Sequence, residues 1–197
     1  MKRIEFAVLV GLIISIILSS TVAFASSCEN VRSEVLRLHI LANSDSSADQ
    51  NLKLAVRDAI LKESGQLFDG AMTLDAAVEM AEVNLPQIEE IAKAEIKKQG
   101  YDYSVRAYLT EMYFETRKYE DVTMPAGKYK ALRIEIGAAA GKNWWCVIFP
   151  TLCIPAASKN ALIDDVFTAQ EIDTITSPKY EAKFAIVEFF EKLKSDK

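Results

Sequence analysis

His39, Ser44 and Asp45 carry the residue types of a hydrolase triad, in which an imidazole activates a hydroxyl and a carboxylate orients the ring. They sit too near one another in the chain to converge from a strand and the turn that follows it, and no GxSxG elbow occurs. Zinc chemistry has little to draw on, because the chain holds one histidine and three cysteines without a CxxC pair. Asn43, Asp45, Ser47 and Asp49 have the alternate spacing of a calcium loop. Yet Ala48 stands where the sharp turn needs glycine, and Leu54 where a bidentate Glu belongs. Gly137-Ala-Ala-Ala-Gly141-Lys142 misses the GxxxxGK[ST] spacing of a phosphate loop, and Asn143 replaces its hydroxyl residue. The carboxylates Asp45 with Asp49, and Glu115 with Glu120, suit acid-base work but are explained equally by solvated charge. The expectation is a protein that is not an enzyme and needs no metal or cofactor.

Residues suited to binding are clearer. Asn143-Trp144-Trp145-Cys146 places adjacent tryptophans on a strand, so one ring enters the core while the other faces outward. Exposed Trp serves protein contacts and sugar stacking; packing of both rings is the alternative. Cys146 and Cys153 can pair in an oxidising compartment if the chain turns back at Pro150, closing a loop worth about 2.5 kcal/mol in the chain-entropy model. Two buried free thiols are the alternative, with Cys28 left over near the N-terminus.

The element that positions the polar residues is Leu36 to Leu61. Leu36, Leu38, Ile40 and Ala42 alternate with Arg37, His39 and Leu41, the period of a strand with one face on a core, which puts His39 on the more polar face. Residues 43–47 supply turn and helix-cap side chains, with Ser46 and Asp49 as a weak capping box. Leu52, Ala55, Val56, Ala59 and Ile60 then form a helical stripe, away from Lys53 and Arg57, with Gly65 as the stop. A second helical region spans 73–99 and is expected to kink or break at Pro86. Residues 103–119 read as a strand with an irregularity near Glu111. Met124 to Gly127 is a turn, and 129–136 is a strand pairing antiparallel with the first. A small-residue loop at 137–142 leads into a short buried strand at 143–149. Residues 159–171 form a loose helix and 173–178 a linker. A last helix from about Lys179 to Lys194 turns Phe184, Val187, Phe190 and Leu193 inward. This order predicts an α+β fold, a mostly antiparallel sheet packed against helices.

The N-terminus has Lys2 and Arg3, an apolar stretch from Phe6 to Leu18, and Ala23-Phe24-Ala25 before Ser26, the small-x-small pattern of a signal peptidase site. Residues 1–25 are read as a signal peptide cleaved after Ala25, with an uncleaved anchor as the rival reading and lipid attachment at Cys28 as a third, against which Ala25 stands where a lipobox has Leu. Residues 30–197 form a single α+β domain. The formal charge of −5 becomes −6 once Lys2, Arg3 and Glu5 are removed, and without a basic run the chain is a poor candidate for nucleic acid.

LRLHILANSDSSADQNLKLAVRDAIL and GKYKALRIEIGAAAGKNWWCVIFPTLC, in this order behind an export signal, closely resemble the stage II sporulation protein R family of endospore-forming bacteria. The resemblance covers about Val31 to Pro155. It implies a signal made in the forespore and exported into the space between the forespore and mother-cell membranes. There it triggers a membrane-embedded aspartic protease of the mother cell, which processes the precursor of sigma factor E. The family offers no catalytic residues to transfer. On this reading the receptor-contact surface comprises His39, Asn43, Ser44, Asp45 and Asp49, with Lys142, Asn143, Trp144 and Trp145. The alternative is an extracytoplasmic cell-wall hydrolase or a glycan-binding module that stacks sugar on a tryptophan.

Overall fold

A computed structural model describes residues 2–119, 121–150 and 166–195. Its elements are α1 (Lys2–Ser33), β1 (Leu36–Leu41), α2 (Ser47–Leu67), α3 (Leu74–Lys98), β2 (Val105–Phe114), β3 (Arg117–Tyr119), β4 (Val122–Met124), β5 (Gly127–Ile136), β6 (Asn143–Phe149), α4 (Ala169–Thr176) and α5 (Glu181–Ser195). The α+β expectation holds, with a mixed four-stranded sheet in the order β2-β5-β1-β6. The contacts divide the chain into two compact units, Ser33–Phe114 with Lys128–Phe167, and Met1–Arg32 with Glu115–Gly127 and Thr168–Lys197.

In the larger unit β1 is a central strand, parallel to β5 and antiparallel to β6. The parallel partner is a feature the alternation could not reveal, because periodicity fixes faces and not neighbours. One face of β1 carries Leu36, Leu38 and Ile40, all fully buried, in register with Leu132 and Ile134 of β5. Leu52, Val56 and Ile60 of α2 and Ala77, Ala81, Ile88, Ala92 and Ile96 of α3 supply the buried helical stripes of this unit. Removing such aliphatic side chains from water contributes roughly 25 cal/mol per Å2 of apolar surface.

Several boundaries depart from expectation for local reasons. α3 starts at the Thr73 cap and runs through Pro86 to Lys98 without a break. Pro86 lies on the exposed side, where the carbonyl it leaves unbonded can take water, so one lost hydrogen bond does not end the helix. α2 continues past Gly65 to Leu67, whose carbonyl accepts from the Asn84 side chain at 3.2 Å. β2 runs unbroken through Glu111 and ends at Phe114, short of the expected end at Tyr119, and β3 and β4 form a separate antiparallel ribbon.

The smaller unit is built on α1, β3, β4, α4 and α5. Phe24 and Cys28 of α1 form a buried cluster with Phe184 and Val187 of α5. Arg32, almost fully buried, donates to the Ala126 carbonyl at 2.7 Å and pairs with Glu29 and Glu191. A side chain at Gly127, where φ is +144°, would collide with that guanidinium. α4 overlaps the end of the expected loose helix and extends into the expected linker, with Thr168 and Glu171 forming a reciprocal capping box; residues 159–165 of that expected helix lie outside the described residues. On α5 only part of the expected inward set is inward, because Phe190 and Leu193 are more than half exposed.

Candidate functional site

The polar turn after β1 is a closed hydrogen-bond network. Asp49, in the first turn of α2, is buried and accepts from Ser44 Oγ at 2.5 Å and Asn43 Nδ2 at 2.9 Å. Those donors, Ser44 first, hold its carboxyl below the usual carboxylate range. Its own amide donates to Ser46 Oγ at 3.1 Å, which is the expected half of the capping box. Gln50 Nε2 donates to the Ser44 carbonyl at 2.8 Å. Each side chain is therefore committed to the shape of the turn before any partner arrives.

The same turn clamps the loop from Gly137 to Lys142. Asn43 Oδ1 accepts from the Ala138 amide at 2.9 Å, and Asp45 Oδ1 from the Lys142 amide at 2.7 Å. The backbone amides of Ala140 and Gly141 donate to the carbonyls of Asn43 and Ala42. Gly137 has φ of +58°, and a Cβ there or at Gly141 would overlap the Asn43 side chain or the Ser44 carbonyl. Only glycine fits these close approaches. Lys53, expected to point away from the apolar stripe, is instead buried, and its ammonium reaches Gln50 Oε1 at 2.7 Å and the Lys142 carbonyl at 2.9 Å. Burial pushes its pKa down.

His39 departs from the expected polar face. It is 2% exposed, because the Trp145 ring stacks on it at 3.9 Å and 8°. Its Nε2 donates to the Asn143 side-chain carbonyl at 2.8 Å, while Nδ1 has no hydrogen-bond partner among the described residues. Burial lowers its pKa to about 4, so the ring is neutral near pH 7. Two places along β1, Arg37 is fully buried, its guanidinium 4.4 Å from the centre of the Phe114 ring and 5.0 Å from that of Tyr129, with Nε donating to the Cys146 carbonyl at 3.1 Å. Phe114 also meets Trp145 edge-on at 4.8 Å. This sheet face is polar in composition and closed to water.

The adjacent tryptophans do point to opposite faces. Trp145 joins the His39 stack, and Trp144 lies under Arg57 of α2, whose guanidinium is 4.3 Å from the ring centre. Both rings are half-buried and each has a face taken by a protein side chain, which leaves less for sugar stacking.

The residues of the supposed triad go separate ways. His39 engages Asn143, Ser44 engages Asp49, and Asp45 engages the Lys142 amide. Among the nine candidate contact residues, His39 and Asp49 are sealed in, while Asn43, Ser44, Trp144 and Trp145 are half-buried. Asp45, Lys142 and Asn143 reach the surface together at the clamped loop. Sequence reasoning did not single out Arg37, Lys53, Arg57 or Phe114. Charged residues alternating on a strand look solvated, and their aromatic covers come from distant segments. Cys146 is disulfide-bonded and Cys28 is a buried free thiol. Cys153 and Glu120 lie outside the described residues.

The family model described as Stage II sporulation protein R matches residues 32–159, which include the turn, the clamped loop and the tryptophan pair. The chain belongs to the stage II sporulation protein R family. Stage II sporulation protein R of Bacillus subtilis strain 168 is 40% identical over 120 residues, covering 61% of this chain and 54% of the relative. The chain thus spans about half the length of the curated relative it matches. No solved structure matches it. The family is not named for an enzyme, and its name places this chain among sporulation proteins. The apolar N-terminal helix is compatible with a signal sequence and export.

Proposed function

We propose that this protein is an exported intercellular signal of sporulation. It acts in the space between forespore and mother-cell membranes, where it activates a membrane-embedded aspartic protease that processes the precursor of mother-cell sigma factor E. The observation that carries this reading is the family match over residues 32–159, which contains the whole clamped turn and loop. An activator needs no reactive groups. It must bind one receptor state better than another, and turning a mostly inactive population into a mostly active one takes about 5.5 kcal/mol of differential binding.

A rigid polar corner suits this task, because little freedom is lost when it docks. Asp45, Lys142 and Asn143 form its exposed rim, over a base held by Asn43, Ser44 and Asp49. The Lys142 side chain is exposed, whereas its backbone carries the clamp, so Lys142→Glu reverses a surface charge and leaves the clamp in place. Co-expression with the candidate protease and its precursor substrate tests the reading. Wild type shortens the precursor, and K142E shortens it at least tenfold more slowly at equal folded yield. Unchanged processing by K142E removes this corner from the contact, and no processing by wild type refutes the activator role.

A further inference from the structure

α1 is one unbroken helix from Lys2 to Ser33 with two different environments along it. Large apolar side chains are exposed along the stretch from Ile4 to Val22, including Phe6, Leu9, Leu12 and Ile16, with Glu5 as its one charged residue. Those residues, at 1.5 Å per residue, extend about 28 Å, close to the roughly 30 Å of a bilayer's hydrocarbon core. Lys2 and Arg3 precede them, as cytoplasmic flanks of a membrane helix do.

Past Val22 the helix becomes part of a folded core. Phe24 is 4% exposed, with its ring 5.0 Å from Tyr180 and 5.1 Å from Phe184, in edge contact with the latter. Lys183 Nζ donates to Ser20 Oγ at 2.8 Å. Cys28 and Val31 are fully buried one and two turns further on, and Arg32 pairs with Glu191. α5 therefore grips α1 on both sides of the bond after Ala25. Cutting there removes Phe24 from the Phe184 cluster and takes Ser20 away from Lys183.

We propose that α1 is not removed, but stays as a membrane anchor that holds the rest of the chain at the outer surface of the lipid bilayer it has crossed. The occupant of the exposed part of α1 is lipid, by its length, its apolar surface and its basic N-terminal flank. This rests on the export reading above. Retention makes the meeting with a membrane receptor a matter of position within a narrow space.

The test uses the full chain with a C-terminal tag, produced in a spore-forming bacterium. Three readouts are taken, namely intact mass, resistance to carbonate extraction, and protease access to the tag in protoplasts. Retention gives the mass of the whole 21.9 kDa chain plus tag, a carbonate-resistant membrane fraction, and a tag digested from outside. A chain beginning at Ser26 and released on extraction, with its tag still accessible, overturns the anchor and leaves export standing. A tag protected in intact protoplasts overturns export, and with it the anchor.

Discussion

Asp49 is the residue on which the polar corner turns, and its replacement has a calculable effect. In Asp49→Ala, Ser44 Oγ and Asn43 Nδ2 lose a charged acceptor. Hydrogen bonds to charged groups are worth about 1.5–3 kcal/mol each, and the lower end applies because Asn43 and Ser44 are half-exposed and water replaces part of what is lost. Loss of a negative charge from the first turn of α2 adds about 0.5 kcal/mol. The sum is about 3.5 kcal/mol. Asp49→Asn keeps an acceptor oxygen and costs about half as much. The carboxyl titrates below its usual range when folded, so its stabilisation is fully present above about pH 4 and is lost as pH falls through the lower folded value. The gap between wild type and D49N therefore narrows under acid conditions. Urea unfolding of the chain in detergent, followed by tryptophan fluorescence, reads this unit directly, since both tryptophans of the chain lie on β6. A D49A midpoint equal to wild type at pH 7, or an acid response of D49N as steep as that of wild type, would refute the reasoning.

The single histidine makes His39 easy to follow by NMR, and its imidazole should titrate near pH 4; a midpoint near 6.5 removes the stack from the folded state. Because the unfolded ring gains its proton first, His39 favours folding above pH 6.5 and loses up to about 3 kcal/mol of that as pH falls to 4, seen as falling urea midpoints. Gly141→Ala sets a methyl against the Ser44 backbone carbonyl and should cost about 3 kcal/mol by the same unfolding assay. Arg37→Ala leaves the Cys146 carbonyl without this donor and a gap between Phe114 and Tyr129, a loss of about 3 kcal/mol or more. Arg37→Lys should recover little of it, since a point charge does not stack as a planar guanidinium does.

The strand, turn and helix from Leu36 to Leu61 were legible because their signals are local, namely a period of two, a run of cap residues and a 3.6-residue stripe. What escaped was set by segments far along the chain. Arg37 and His39 look like surface residues until Phe114, Tyr129 and Trp145 cover them. Lys53 looks solvated until the Lys142 carbonyl receives it. Pro86 reads as a breaker, yet on an exposed side its cost is one hydrogen bond within a long, well-packed helix. Phe190 and Leu193 share the apolar pattern of Phe184 and Val187, and periodicity cannot tell which stripe has a neighbour to pack against. The candidate corner was visible as a cluster of polar residues in the sequence. Its division into a buried base and an exposed rim required the hydrogen bonds.

β1 has a timing consequence. Its parallel neighbour, β5, follows about 90 residues later and β6 later still, so the centre of the sheet cannot close until both have been delivered. α1 likewise waits for α5, which contributes Phe184 near the far end of the chain. For a polypeptide made from its N-terminus, these pairings postpone compaction until nearly the whole chain is available. The order of the strands thus leaves both cores open until the last segments that complete them arrive.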